Sequence, residues 1–208
     1  MDLKIIDNFL EADDYKTLCS LKLEKINSNE IKVYVNEIDD NSILRNEVFS
    51  EKFLKNLQNN YHQKTLAILN ELNPLKAKLY DYSTFSIIET GANYKFPIHD
   101  DTPNKLLSGV IYLYPENNTG TIFYSNKKGD NKRIIDWQQN RAVFFSRIEG
   151  KSWHAYKGDG KSNRIALVYN LMTKRLKDVY RLENNNYFFG LMRYKLNPYI
   201  YKFFKFNI

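Results

Sequence analysis

The motif His99-Asp100-Asp101 contains one of only three histidines in this chain of 208 residues. Successive side chains of an extended segment point to opposite faces, so His99 and Asp101 would share one face while Asp100 points away. An imidazole and a carboxylate on one face could hold a divalent metal ion between them. A polar turn and a catalytic histidine–aspartate dyad are the alternative interpretations of the motif.

A metal site would need at least one more ligand, and the two other histidines are the candidates. His62 lies within a helical pattern among polar neighbours, which predicts a solvated position on a helix surface. His154 lies in the strand pattern SWHAY and is the better candidate. Two histidines and one carboxylate on one face of an octahedral ion leave the opposite positions open, as in non-haem Fe(II) oxygenases. Zinc with the same ligands would require a nearby general base for hydrolysis.

Arg164 stands ten positions after His154 and opens the apolar strand pattern NRIALVYNL. An arginine at the start of a core strand is costly unless it meets an anion. Its planar guanidinium suits a carboxylate in particular. Taken alone, the residue could equally be a surface arginine at a strand end.

The elements that must position these residues are mostly strands. Strand patterns rich in β-branched and aromatic residues, separated by turn residues, occupy 78–89, 105–115, 120–125, 132–137, 141–146, 153–157 and 163–172. Seven short strands at this spacing are typical of a sandwich, barrel or jelly roll. The sequence therefore predicts a mainly β fold of the α+β class.

The N-terminal part carries the helical patterns. Residues 11–26 show an apolar stripe at helical spacing, and residues 49–72 form the strongest helical pattern, capped by Ser50 and ended by Asn73-Pro74. Short strands are predicted at 4–10, with a turn at Asp7-Asn8, and at 31–38. We expect a single domain over 1–208, in which 1–77 support a core of 78–172 and 173–208 form a C-terminal extension.

Composition narrows the setting and the partners. The net charge of +7 would suit a polyanionic partner, although a solvated basic surface is the interpretation we favour. Cys19 is the only cysteine, which excludes an internal disulfide and a zinc ribbon and fits a reducing, cytoplasmic setting. We expect Cys19 to be a small core residue in a helix. No secretory signal and no apolar run long enough to cross a membrane are evident.

The C-terminal extension interleaves basic and aromatic residues. Its aromatic residues are Tyr180, Tyr187, Phe188, Phe189, Tyr194, Tyr199, Tyr201, Phe203, Phe204 and Phe206. Such a segment could bind single-stranded nucleic acid by stacking and phosphate attraction. The interpretation we favour is that the aromatic rings cover the β core or a subunit interface of a homo-oligomer, while the cations stay solvated.

The ordered set His99, Asp101, His154 and Arg164 resembles the H-x-D…H…R pattern of the Fe(II)- and 2-oxoglutarate-dependent dioxygenases. The surrounding segments GANYKFPIHDD, KLLSGVIYLYP, GTIFY and NRAVFFS are similar to the strands of that family, closest to its prolyl-hydroxylase-like branch. The resemblance covers residues 4–172 and favours the metal site over the turn and the dyad. Asp100 would then brace the loop or face solvent.

The resemblance implies a double-stranded β-helix (jelly roll) core with the N-terminal helices packed outside. It implies that His99, Asp101 and His154 bind Fe(II), and that Arg164 pairs with the distal carboxylate of the co-substrate 2-oxoglutarate. Tyr112 matches a tyrosine that bonds the same carboxylate, and a plain core tyrosine is the alternative. The implied activity consumes O2, converts 2-oxoglutarate to succinate and hydroxylates a substrate, with ascorbate as a reductant.

The sequence leaves the primary substrate open. The resemblance favours a peptide or protein side chain, while the charge leaves room for an acidic metabolite, a nucleotide or nucleic acid. Ile165–Val168 lack the polar residue that often follows the arginine in this family. A catalytically inactive binding module of the same fold for nucleic acid or another polyanion is the alternative, and the absence of H-x-H disfavours a cupin. We expect residues 31–48 and the C-terminal extension at the mouth of the site.

Overall fold

A computed structural model describes residues 2–40 and 42–192. In chain order the elements are β1 (Lys4–Ile6), α1 (Ala12–Cys19), β2 (Ile31–Asp39), β3 (Ser42–Arg45), α2 (Glu51–Leu72), α3 (Pro74–Ala77), β4 (Tyr82–Thr90), β5 (Lys95–His99), β6 (Lys105–Tyr114), β7 (Ile122–Phe123), β8 (Arg133–Ile134), β9 (Ala142–Ser146), β10 (His154–Lys157), β11 (Arg164–Met172) and α4 (Leu176–Leu182). Within the described ranges, no helix is both long and apolar enough to cross a membrane.

The strands of the described residues form two antiparallel sheets. The larger has seven strands in the order β1-β9-β6-β11-β4-β2-β3, and the smaller has four in the order β5-β10-β7-β8. The non-consecutive order, with two sheets and few helices, is that of a jelly roll. The predicted double-stranded β-helix core is therefore confirmed.

The two faces of the larger sheet have different surroundings, and successive residues of each strand point to opposite faces. Phe85 and Ile87 of β4 belong to the core formed with helix α2, whereas Ile88 and Thr90 line a cavity on the other face. The paired strand β11 repeats the pattern, since Leu167 packs in the helix-side core. One face of the sheet thus holds the fold together and the other is available for function.

Helix α2 begins and ends where the sequence predicts. The Ser50 hydroxyl accepts a hydrogen bond from the Phe53 amide at 3.2 Å, and Asn73 ends the helix before Pro74. Leu54 and Leu57 are fully buried against the sheet. Burial of each such side chain stabilises the fold by about 1.5–3 kcal/mol, so this helix anchors the larger sheet.

The first helix is shorter than predicted. Helix α1 ends at Cys19, and the hydroxyl of the C-cap residue Ser20 donates to the Thr17 carbonyl at 2.8 Å. Leu21 and Leu23 still pack against the core, but from a segment without helical structure, where every second residue turns inward. The prediction of a helix over 11–26 is wrong because LKLEK alternates with the period of an extended chain.

Two single-residue predictions are also wrong. Cys19 is exposed rather than a core residue, although its thiol contacts the Leu113 carbonyl oxygen at 3.8 Å. His62 is half-buried rather than solvated, because Tyr80 covers it with a ring-centroid distance of 4.7 Å. Its buried Nδ1 has no hydrogen-bond partner among the residues described.

The boundaries of several strands differ from the sequence patterns. Residues 78–81 lead into β4 without belonging to it, β7 and β8 have two residues each, and β5 was not predicted. In the C-terminal extension, helix α4 buries Val179 and Tyr180, while Phe188 and Phe189 are exposed. Tyr187 is also exposed, and the aromatic residues from Tyr194 onward lie outside the described residues.

Candidate metal centre

The three predicted ligands come together where the smaller sheet faces the larger one. His99 ends β5 and lies directly opposite His154, the first residue of β10. Their ring centroids are 4.2 Å apart, and Asp101 follows two residues after His99. One ligand atom from each of the three side chains lies within 4.8 Å of the others. Such spacing suits a single metal ion.

Both imidazoles are held by backbone carbonyls. Nδ1 of His99 lies 3.0 Å from the Pro97 oxygen, and Nδ1 of His154 lies 2.8 Å from the Ser152 oxygen. With the proton on Nδ1, the lone pair of Nε2 is left for a metal. Burial lowers the pKa of His154 to about 4. Its ring is therefore neutral at physiological pH, as metal binding requires.

The Asp101 carboxylate is buried and held on both oxygens. Lys105 Nζ donates to Oδ1 and Ser108 Oγ donates to Oδ2, each at 2.6 Å. Burial alone would raise the pKa of Asp101, but the charge of Lys105, together with the two imidazoles when they are protonated, outweighs burial and holds the pKa well below its usual value. An ionised carboxylate offers about four lone-pair sites, so Asp101 can keep both bonds and still bind a metal.

Asp100 points away from the cluster, as alternation predicts. Its carboxylate accepts hydrogen bonds from the Gly150 amide at 2.8 Å and from the Ser152 hydroxyl. These groups belong to the loop that leads into His154. The expectation that Asp100 braces a loop is confirmed.

A cavity of about 150 Å³ between the two sheets contains the three ligands and Arg164. Its walls are mostly apolar, with Ile88, Val110, Phe145 and Val168 among the lining residues. Sites for drug-sized ligands span roughly 300–1,000 Å³, so this cavity suits a compact molecule. Asp101 is the only carboxylate among the described residues that line it.

Arg164 is buried and lines this cavity. Its Nε has no hydrogen-bond partner, and no carboxylate within the described ranges forms an ion pair with it. The guanidinium carbon lies 4.0 Å from the ring centroid of Tyr156, 5.3 Å from that of Trp137 and 5.4 Å from that of Tyr112. Burial lowers the pKa of Arg164. Aromatic faces only partly replace a lost hydration shell, so the site has room for a negatively charged partner.

Tyr112 is fully buried beside this arginine but does not line the cavity. Its hydroxyl donates to Thr121 Oγ1 at 3.0 Å and accepts from the Thr121 amide at 2.8 Å, while its ring stacks on Trp137. Thr121 is the lining residue that this arrangement supports. The ligand-binding role of Tyr112 stays a prediction.

Sequence reasoning missed several residues of the cavity. Tyr156 stands two positions after His154 on the same face of β10, so the alternation rule alone could have found it. Phe96 could be placed in the cavity only from the pairing register of β5 with β10. His154 pairs with His99 but Tyr156 pairs with Phe96, so β5 contains one extra residue, and both Phe96 and His99 face the cavity. Of the segment 31–48, Ile31 lines the cavity; no described residue of the C-terminal extension does so.

Comparisons with known proteins bear on the fold. No protein-family model matches the sequence, and no curated protein matches it either. Among solved structures, a prolyl-4-hydroxylase from Pseudomonas putida matches with a TM-score of 0.55 and 15% identity over 83% of this chain and 92% of that one. A prolyl hydroxylase from Trichoplax adhaerens was solved with a fragment of the oxygen degradation domain of hypoxia inducible factor. It matches with a TM-score of 0.58 and 15% identity over 85% of this chain and 86% of that one.

A third similar structure is an oxidoreductase of the 2OG-Fe(II) oxygenase family from Burkholderia pseudomallei. It matches with a TM-score of 0.54 and 14% identity, over 82% of this chain and 84% of that one. At these identities the likeness shows a common fold. The chain therefore has the fold of the Fe(II)/2-oxoglutarate oxygenases and carries a His-Asp-His cluster that fits their metal-binding motif.

Proposed function

We propose that this protein is an Fe(II)- and 2-oxoglutarate-dependent dioxygenase that hydroxylates its substrate. One observation carries the proposal: a buried arginine that pairs with no carboxylate of the described residues shares a small cavity with two histidines and an aspartate. The three ligands account for a metal ion, and the arginine accounts for an anion bound at a distance from it. A compact dicarboxylate that chelates a metal at one end meets both requirements.

The donor set fits iron better than hydrolytic zinc. Two imidazole nitrogens and one carboxylate oxygen leave open positions on an octahedral ion, where a co-substrate and dioxygen can bind. A zinc hydrolase would need a further general base beside the metal. Among the described residues that line the cavity, Asp101 is the only carboxylate, and it belongs to the ligand set.

The residues of the chain have separate roles in this reaction. Arg164 pairs with the distal carboxylate of 2-oxoglutarate, and Tyr112 supports that end of the site through Thr121. Phe96 and Phe145 line the wall near the ligands and exclude water from the reacting centre. Bound Fe(II) supplies the activation of dioxygen, coupled to conversion of 2-oxoglutarate to succinate and carbon dioxide, with ascorbate as a reductant that keeps the metal ferrous.

A peptide or protein side chain is the substrate class we propose. The Trichoplax neighbour of the same fold was solved with a peptide fragment. The lining of the cavity that holds the ligands is mostly apolar and includes Ile31, Ile88 and Val168. An aliphatic carbon–hydrogen bond can approach across such a surface without desolvating a charge.

The test is release of succinate from 2-oxoglutarate by the purified protein with Fe(II) and ascorbate. His154→Ala should abolish it, whereas the matched variant His62→Gln should keep it because His62 lies outside the site. Full turnover by His154→Ala would refute the proposal. Wild-type protein without bound transition metal, and without a thermal shift on addition of 2-oxoglutarate, would instead support a binding module of the same fold.

A further inference from the structure

A group of buried charges lies directly behind the metal ligands, outside the cavity. It consists of Lys76 in α3, Arg147 just after β9 and Glu183 just after α4, and we call it the Lys76–Arg147–Glu183 cluster. Lys76 is 1% exposed, Arg147 3%, and the Glu183 side chain 5%. Charges this deeply buried cost several kcal/mol each unless they are closely paired.

The pairing within the cluster is complete. Lys76 Nζ donates both to Glu183 Oε1 and to the backbone oxygen of Arg147. Arg147 Nη1 donates to Glu183 Oε2 at 2.6 Å. One carboxylate therefore joins two cations from segments far apart in the chain. Arg147 Nη2 also donates to Glu149 Oε2 at 3.2 Å, so removing the Glu183 carboxylate would leave Arg147 with this longer contact and Lys76 without an anionic partner among the described residues.

The cluster contacts both arms of the metal site. Arg147 Nε donates to the backbone oxygen of Asp101 at 3.1 Å. Arg147 also begins the loop that contains Ser152. The Ser152 hydroxyl donates to the Asp100 carboxylate, and the Ser152 backbone oxygen lies 2.8 Å from His154 Nδ1. A shift of the Arg147 guanidinium would thus move Asp101 directly and His154 through the loop.

We propose that the Lys76–Arg147–Glu183 cluster positions Asp101 and His154 for metal binding, and that Glu183 makes the C-terminal extension part of the metal centre. This inference rests on the proposed metal site. The three residues touch neither metal nor co-substrate, so they are positioning residues that act through the backbone of Asp101 and the loop before His154. Loss of hydrogen-bonded partners behind metal ligands typically weakens metal affinity about 10–100-fold.

The experiment measures Mn(II) binding by isothermal titration at 15 °C in four proteins, with thermal unfolding of each metal-free protein in parallel. Arg147→Lys keeps the charge but loses the planar group that bonds both Glu183 and Asp101. Glu183→Asp keeps the charge and withdraws the carboxylate by one methylene, which makes it the variant that best preserves folding. Tyr61→Phe is the control, because it removes a buried hydroxyl that donates to Asp14 of α1 at 2.7 Å and neither residue belongs to the cluster or lines the cavity.

We expect Arg147→Lys and Glu183→Asp to bind Mn(II) at least about tenfold more weakly than wild type. Tyr61→Phe should unfold at a lower temperature and bind Mn(II) like wild type. Wild-type affinity in both cluster variants would overturn the inference alone, and loss of folding in both would show that the cluster supports the fold as a whole and overturn it too. A wild-type protein that does not bind Mn(II) would instead overturn the metal site and the inference with it.

Discussion

Replacement of Arg164 by methionine should make the protein more stable in the absence of 2-oxoglutarate. Methionine has a similar length and flexible shape, and it carries no charge to desolvate. The wild-type guanidinium is buried with Nε unpaired and no carboxylate in contact within the described chain. A residue kept for binding an anion is expected to destabilise the fold when that anion is absent.

The magnitude follows from two opposing contributions. A buried donor without a partner costs about 1–3 kcal/mol. The contact with Tyr156, at 4.0 Å from the ring centroid, returns roughly 0.5–2 kcal/mol. The difference favours Arg164→Met by about 1 kcal/mol, which for a domain of this size corresponds to an unfolding midpoint roughly 2–4 °C higher.

The assay is thermal unfolding with Mn(II), with and without 2-oxoglutarate. At a concentration 100 times its dissociation constant, a ligand that binds only the folded state stabilises it by about 2.7 kcal/mol. Wild type should show this gain and Arg164→Met should lose most of it. Arg141→Met is the control. Arg141 Nε lies 2.6 Å from Asp7 Oδ1, and neither residue lines the cavity. This variant should be less stable than wild type and should keep the full response to 2-oxoglutarate.

Two results would refute this reasoning. A ligand-free Arg164→Met protein that is less stable than wild type would show that the aromatic contacts satisfy the guanidinium. An unchanged response of that variant to 2-oxoglutarate would show that the anion binds elsewhere.

Three further predictions concern residues in and around the site. Asp101→Asn should abolish Mn(II) binding, whereas Asp100→Asn should weaken it about tenfold, because Asp100 holds only the loop before His154. Equal Mn(II) affinities of the two variants in titration calorimetry would contradict the assignment of Asp101 as the ligand. Lys105→Met should bind Mn(II) about tenfold more tightly, because the Lys105 ammonium bonds the ligand carboxylate at 2.6 Å and its positive charge repels a divalent ion there. Weaker binding, as expected when a ligand loses its support, would show that Lys105 orients Asp101 instead. Burial lowers the pKa of His62 in the folded protein, so the unfolded chain binds a proton there more readily and the free energy of unfolding falls as the pH drops below about 6.5. Between pH 7 and 5, His62→Phe should therefore lose less stability than wild type, as measured by chemical denaturation. Identical losses in the two proteins would contradict this prediction.

The ligand cluster could be predicted from the sequence because its rules are local. Alternation in an extended chain separates Asp100 from Asp101, and the strand patterns around His154 and Arg164 place both on core strands. The same rule could have found Tyr156. These inferences need only the period of a strand and the chemistry of the side chains.

The rest depends on contacts that one sequence does not encode locally. The predicted first helix is too long because Leu23 continues the helical stripe of Leu18 and Cys19, whereas Leu21 and Leu23 alternate as in an extended chain. Tyr80 covers His62, and a periodicity argument has no access to the segment that packs on top of a helix. The partners of Arg147 come from α3 and from the end of α4, which only the tertiary fold brings together.

The extra residue in β5 decides which side chains of that strand face the cavity. Phe96 and His99 are separated by an odd number of positions, so a regular strand would turn one of them to the opposite side of the sheet. Pro97, between them, lies on an edge strand, where its missing amide costs no ladder bond. Deletion of a single residue there would restore a regular ladder and turn Phe96 or His99 away from the cavity, so a more regular sheet would break up the proposed metal site.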